Sequence, residues 1–158
     1  MRWGAKTKTE RHQGTPVGFA GSKRRPSQLI TGDKTVESVE AGIYQYVPDP
    51  HSLHALKSGD SRKIVAEDSR GQHWMAEAPA MILITGEVSR SSAKYGARAG
   101  MYMHMEAGAI AQNVFLQAEA MGLGAGIVGA FENQKISQHL GLPASHDPLL
   151  ILPVGYGR

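Results

Sequence analysis

Hydrophobic and polar positions follow different periods along the chain, and these periods predict its elements. Residues 42–47 alternate in the manner of a half-buried strand, and residues 53–56 predict its antiparallel partner after a turn over residues 48–50. Residues 80–85 form a continuous apolar run of strand length, which predicts a strand covered on both faces. Residues 149–154 predict a last buried strand.

The longest helical pattern extends from Ala99 to Met121. Its main apolar stripe has residues at spacings of three and four: Met103, Ala107, Ile110, Val114, Ala118 and Met121. A second stripe of Met101, Met105 and Phe115 widens the apolar surface. We therefore expect this helix to be buried on most sides, and we expect Gly122 to end it.

Two shorter helices complete the prediction, one over residues 59–69 with Asp60 or Ser61 as its cap, and one from about Glu132. Strands and helices are mixed without strict βαβ alternation, which favours an α+β fold. Residues 1–28 lack a periodic apolar pattern and are rich in glycine, proline, serine and charge. We therefore expect a basic, irregular segment over residues 1–28 and a folded domain over residues 29–158.

Composition excludes several classes of function. The 158 residues contain no cysteine, which excludes disulfides, thiolate nucleophiles and cysteine-ligated metals. The seven histidines lack the spacing of known metal motifs, so no metal site is expected. No apolar run approaches the roughly 20 residues that span a bilayer. The N-terminus has no signal-peptide pattern, so the cytoplasm is the expected location.

The net charge of +3 is unevenly distributed. Residues 1–34 hold eight lysines and arginines against two acidic residues, for a charge of +6, and the remaining chain carries −3. Such a basic arm binds nucleic acid in some proteins and is a solvated tail in others. This arm has no recognisable nucleic-acid motif, which favours the tail.

The residues that best indicate a functional site lie between Glu106 and Phe131, where an apolar helix is followed by a glycine-rich, apolar segment. Glycines there would allow a flat ligand to lie against the main chain, or would only permit tight packing of helix and strand. Gln112 and Asn113 lie within the apolar helix, and buried amides of this kind need polar partners.

This segment resembles the nitroreductase superfamily, whose members carry a Glu-x-Gly-x-x-x-Gln-Asn helix and a Gly-Leu-Gly turn. Further motifs, in order, resemble the SagB-type branch, which contains the azoline dehydrogenases. They are Gly42-Ile-Tyr-Gln-Tyr-Val-Pro48, Ala78-Pro79, Lys94-Tyr95-Gly96 and Pro153-Val154-Gly155. The resemblance covers about residues 36–158. It implies a nitroreductase-like α+β fold, with a mostly antiparallel central sheet flanked by helices and a long buried helix.

The resemblance also implies an FMN-dependent oxidoreductase, usually a homodimer with the flavin at the subunit interface. Hydride would pass through flavin N5 between a reduced nicotinamide, NAD(P)H, or another donor and a small organic acceptor. The family's flavin-binding positions fall on Asn113, Ile127, Val128, Gly129, Ala130 and, for the phosphate, Arg158. Lys94 and Tyr95 match the pair that transfers protons in the azoline dehydrogenases, where a base removes a Cα proton.

The sequence departs from the family at its N-terminus. The arginine-rich phosphate-binding stretch and the turn that follows it are not recognisable, and Arg24, Arg25 and Ser27 stand in that region. These residues would replace the usual phosphate ligands, or the site would be incomplete. The alternatives to a nitroreductase-like enzyme are therefore an azoline-type peptide dehydrogenase and a degenerate, non-catalytic flavin-fold binding protein.

Overall fold

The computed structural model describes residues 3–4, 27–32 and 39–157, and within them an antiparallel sheet. Its seven strands are β1 (Trp3–Gly4), β2 (Ser27–Thr31), β3 (Gly42–Val47), β4 (Ser52–Ser58), β5 (Ala80–Gly86), β6 (Gly124–Ala125) and β7 (Asp147–Gly157). Their order is β1-β7-β5-β2-β3-β4, and β6 pairs with β7. Every strand pair in the described residues is antiparallel, which confirms the predicted α+β fold.

Within the described residues, four α-helices accompany the sheet, namely α1 (Arg62–Asp68), α2 (Ser89–Tyr95), α3 (Ala99–Ala120) and α4 (Asn133–Leu140). Two 3₁₀ helices cover His73–Glu77 and Gly96–Arg98. The predicted hairpin, central strand, long helix and last strand are all present. Most of residues 1–28 lie outside the described residues, so the predicted irregular segment and its boundary stay a prediction.

Strand β5 separates two apolar layers because its side chains alternate between the faces of the sheet. Met81 and Leu83 belong to a core shared with α1 and α4, whereas Ile84 belongs to a core shared with α3. Strand β7 divides in the same way, with Ile151 in the first core and Leu152 in the second. The prediction of a strand covered on both faces is confirmed.

Helix α3 is not buried on most sides in the single chain, so that expectation is wrong. Only small side chains of its inner face are fully buried, among them Ala107, Ala111 and Ala118. Met105, from the second predicted stripe, is 63% exposed. Leu116 follows Met105 by three helical turns on the same outer side, and it is 60% exposed. The sheet can cover only one side of a helix, and Met105 and Leu116 lie on the other side.

A glycine ends the long helix α3, which leads towards the candidate site. Gly122 has a φ of +69°, and the amide of Leu123 donates to the carbonyl of Ala118 over 2.8 Å. This is the Schellman arrangement, which satisfies carbonyls that the helix leaves free. The predicted stop of α3 at Gly122 is therefore confirmed, and the chain turns there towards β6.

The start of α1 is held by a carboxylate from the preceding residues. Asp60 accepts hydrogen bonds from the backbone amide of Arg62 at 3.0 Å and from its Nε and Nη2 at 3.0 and 2.7 Å. Of the two predicted caps, Asp60 therefore makes the bond, while Ser61 makes none through its side chain. The hydrogen bonds from the Arg62 side chain are the main reason why the pKa of Asp60 lies below its usual value of 3.8.

Candidate functional site

The glycine-rich segment after α3 lies along β7 and is fixed to it at alternate residues. The amide of Gly126 donates to the carbonyl of Pro153 over 2.9 Å. Val128 and Ile151 exchange two hydrogen bonds of 2.8 and 2.9 Å, and the Val128 side chain is buried in the core. Residues 126–130, which we call the site loop, therefore have a fixed inner side.

The outer side of the site loop presents backbone to solvent. The amides of Ile127, Gly129 and Ala130 donate to no group among the described residues, and all three residues are exposed. Gly129 has no side chain and Ala130 only a methyl group, so a flat molecule can approach these amides directly. This combination fits the ring of a flavin, whose reactivity is tuned by nearby hydrogen-bond donors.

Two residues just before and within the first 3₁₀ helix support the site loop from behind. Gln72 Nε2 donates to the carbonyl of Ala130 over 3.2 Å and to that of Ser69 over 2.9 Å. The ring of Trp74 lies against Gly126, where an added Cβ would come within 3.1 Å of it. Both ends of the site loop are thus held by residues 72–74.

Sequence reasoning missed these two supports. Trp74 carries no chemical signature in the sequence, and Gln72 is 58 residues from its partner Ala130. Contacts across such separations depend on how the sheet brings the elements together, and no local pattern indicates them.

Of the other predicted flavin-binding residues, the structure describes Asn113 but not Arg158. Asn113 is half-buried on α3, while its neighbour Gln112 is exposed, so only one of the two amides fits the expected polar site inside the helix. Helix α3 packs against β6, which leads directly into the site loop. Arg158, Arg24 and Arg25 lie outside the described residues, as does the side chain of Ser27. The predicted phosphate contacts therefore stay a prediction.

Lys94 and Tyr95 lie together at the end of α2, and both are exposed. The Lys94 Nζ is 5.1 Å from the centre of the Tyr95 ring. The Tyr95 ring meets the ring of Tyr102 edge to face, with centres 5.1 Å apart.

A buried carboxylate joins α1 to α4 on the face of the sheet that also carries Val128 of the site loop. Asp68 Oδ2 accepts a hydrogen bond from His139 Nδ1 at 2.5 Å, and the Asp68 carbonyl accepts one from the amide of Glu132 at 2.8 Å. The pair is 71 residues apart in sequence, which is why it was not anticipated.

Potential metal ligands and membrane-spanning helices were sought in the part of the chain that the structure describes. It contains no group of three or more potential metal ligands. None of its helices combines the length and the apolar character that a bilayer span requires.

Comparisons of the chain with a family model and with known proteins point to the same family. The family model described as "Nitroreductase family" matches residues 23–156. A Methanocaldococcus jannaschii protein named as a nitroreductase is 35% identical over 130 residues, which are 82% of this chain and 65% of that protein. The chain thus spans about two-thirds of the length of this relative.

Two solved structures share the fold. A structure from Anabaena variabilis, also named as a nitroreductase, has a TM-score of 0.78 and 27% identity, and the match covers 85% of this chain and 27% of that one. A chain of the Escherichia coli microcin synthetase McbBCD complex, bound to truncated pro-MccB17, has a TM-score of 0.76. That match covers 86% of this chain and 53% of the other, and its 18% identity shows the fold alone.

The region that matches the family model includes strands β2 to β6, most of β7, α3 and the site loop, and the match to the M. jannaschii protein covers 82% of the chain. The chain therefore belongs to the nitroreductase family, whose members are flavin-dependent oxidoreductases.

Proposed function

We propose that this chain binds FMN and acts as an oxidoreductase between a reduced nicotinamide, or another donor, and a small organic acceptor. The observation that carries the proposal is the exposed row of amides at Ile127, Gly129 and Ala130 on a site loop fixed from behind. Bound FMN would supply two-electron chemistry at its N5. The chain would supply the flat backbone surface, with Asn113 beside it.

The phosphate would be held at the other end of the cofactor. Arg158 is the candidate, because its planar fork can donate to two phosphate oxygens at once. Arg24, Arg25 and Ser27 are the candidates to complete this part of the site. A comparison of FMN with riboflavin tests these assignments without depending on turnover.

We further propose that the active form is a homodimer with the flavin at the interface. The support is the outer face of α3, where Met101, Met105 and Leu116 are 41%, 63% and 60% exposed. Apolar side chains grouped on one exposed face often mark a contact with another chain. A second copy of α3 would cover this face.

Cofactor uptake is the decisive experiment. The purified full chain is titrated with FMN and followed by flavin absorbance and fluorescence, then reduced anaerobically with NADPH or NADH and reoxidised with a quinone or a nitroaromatic compound. We expect tight uptake, bleaching and recovery, with riboflavin binding more weakly than FMN. A colourless protein that takes up no FMN would favour the non-catalytic flavin-fold protein and would leave the family assignment intact.

A second candidate is an azoline-type dehydrogenase acting on a modified peptide, and the Lys94–Tyr95 pair favours it. Such a reaction needs a group that removes the Cα proton as hydride leaves the neighbouring carbon, and a lysine or a phenol can do so. Nitro reduction needs no such base, because solvent supplies its protons. Lys94→Ala is therefore expected to abolish azoline oxidation and to spare the reduction of an uncharged nitroaromatic compound, whereas equal loss of both would contradict this role.

A further inference from the structure

Four side chains at the junction of α2 and α3 form a continuous stack, which we call the cation–tyrosine cluster. It begins with Lys94 over the Tyr95 ring and passes from that ring to the ring of Tyr102. It ends with the guanidinium of Arg98, whose Cζ lies 5.3 Å from the centre of the Tyr102 ring. Cations and aromatic faces attract each other at these distances, so the stack has a defined arrangement.

The cations of this cluster have no carboxylate partner among the described residues. Residues 88–105 contain Arg90, Lys94 and Arg98 but neither aspartate nor glutamate. Arg90 lies 3.6 Å from Glu87, whereas Lys94 and Arg98 form no ion pair with the described residues. The cluster therefore carries two positive charges that an anion can approach.

The Arg98 side chain is also oriented. Its Nε donates to the Tyr102 hydroxyl over 2.9 Å, which leaves the two terminal nitrogens of the guanidinium for another acceptor. A planar guanidinium of this kind matches a carboxylate, since two parallel hydrogen bonds can form. Tyr95 and Tyr102 remain 43% and 37% exposed, so their rings are open to a second flat group.

We propose that the cation–tyrosine cluster binds a planar aromatic acid, with the carboxylate on Arg98 and Lys94 and the ring against the tyrosines. The cluster would make the protein select anionic aromatic acceptors over neutral ones. The selection of acceptors rests on the proposed oxidoreductase function, whereas the binding itself does not.

The test compares 4-nitrobenzoate with 4-nitrobenzamide, which has the same ring and nitro group but no charge. Binding to the full chain is measured by calorimetry, with and without FMN, and KM and kcat are measured for nitro reduction. We expect the acid to bind about tenfold more tightly than the amide, as a charge-assisted pair of hydrogen bonds allows. Arg98→Gln should remove this preference by raising KM for the acid, with kcat unchanged.

Two further variants separate recognition from general charge effects. Tyr102→Phe keeps the ring but loses the hydroxyl that orients Arg98, so it should lower the preference for the acid only in part. Arg70→Gln removes the same charge at an exposed position between α1 and α4, and it should leave the preference intact.

Equal affinity for acid and amide would overturn the inference, and so would an equal effect of the Arg98 and Arg70 substitutions. Failure of the proposed function looks different, because the chain would then take up no FMN and reduce neither compound. A preference for the acid in direct binding would still support the cluster in that case.

Discussion

At the scale of single residues, we expect the same substitution to affect stability differently at two glycines of the site loop. A Cβ at Gly126 would lie 3.1 Å from the Trp74 ring, whereas a Cβ at Gly129 would lie 3.7 Å from the nearest side-chain atom, in Leu150. The rigid ring of Trp74 cannot bend away as a flexible side chain would. Gly126→Ala therefore crowds the core behind the site loop, and Gly129→Ala makes an ordinary contact.

We expect Gly126→Ala to lower the free energy of unfolding by about 1–3 kcal/mol, the usual cost of overpacking. Gly129→Ala, its matched control, should be neutral or slightly stabilising, since the substitution also restricts the unfolded chain. Urea denaturation of both variants measures the difference. Equal stability of the two would show that the Trp74 contact does not restrain the site loop.

The lowered pKa of Asp60 predicts how one contribution to stability depends on pH. A carboxyl group that loses its proton more readily in the folded state stabilises the protein above its unfolded pKa. That contribution is lost as the pH falls below 3.8 and through the folded-state pKa, because both states are then protonated. Asp60→Asn should therefore lower Tm at pH 7.

The difference in Tm between the wild type and Asp60→Asn should shrink as the buffer is taken from about pH 5 to about pH 2. Thermal unfolding at several pH values checks this trend. A difference that stays constant across the range would mean that the Asp60–Arg62 bonds do not depend on the charge of Asp60.

At the scale of elements, the bond between Asp68 and His139 holds α1 to α4. The Asp68 side chain is only 5% exposed, while its neighbour Glu67 is 70% exposed beside His73. Asp68→Ala should cost about 1–3 kcal/mol in the free energy of unfolding, as expected when a buried hydrogen bond is broken. Glu67→Ala, the matched control, should cost less than about 1 kcal/mol.

A double-mutant cycle of Asp68→Ala and His139→Ala, followed by urea denaturation, measures the coupling itself. We expect the two substitutions together to cost less than the sum of their separate costs, because they remove the same bond. Strict additivity would mean that Asp68 stabilises the protein by other contacts.

The elements themselves could largely be predicted, because their signal is local. The consecutive apolar residues of β5 predict a buried strand. Gly122 indicates the end of α3, because a left-handed backbone position favours glycine. The contacts that fix the site loop could not be predicted, because Gln72 and Trp74 are distant from it in sequence and come close to it only when the sheet has formed. The Arg98–Tyr102 pair lies between these cases, for its spacing of four is helical but is also common on exposed helices.

At the scale of the whole molecule, the exposed face of α3 shows why the expectation of a helix buried on most sides was wrong. An apolar stripe does not indicate whether the surface that covers it belongs to the same chain or to another. Met105 and Leu116 would be covered in the proposed homodimer, in which case α3 is buried only in the assembly.

Leu116→Glu places a charge on this face and is expected to dissociate the proposed dimer, because an unpaired charge is costly to bury. Sedimentation velocity measures the mass, and the flavin absorbance shows whether the cofactor is lost with it. Leu56→Glu is the matched control, since Leu56 is 49% exposed on β4, away from α3. A wild-type chain that is monomeric at every concentration would contradict the proposed dimer.

The alternating attachment of the site loop to β7 has a consequence for amide hydrogen exchange. The amides of Gly126 and Val128 are bonded into the sheet and should exchange slowly, at rates set by larger openings of the domain. Those of Ile127, Gly129 and Ala130 should exchange quickly in the free protein and slow down when FMN is added. Residue-resolved exchange by NMR would therefore show, within five consecutive residues, which amides belong to the fold and which await a ligand.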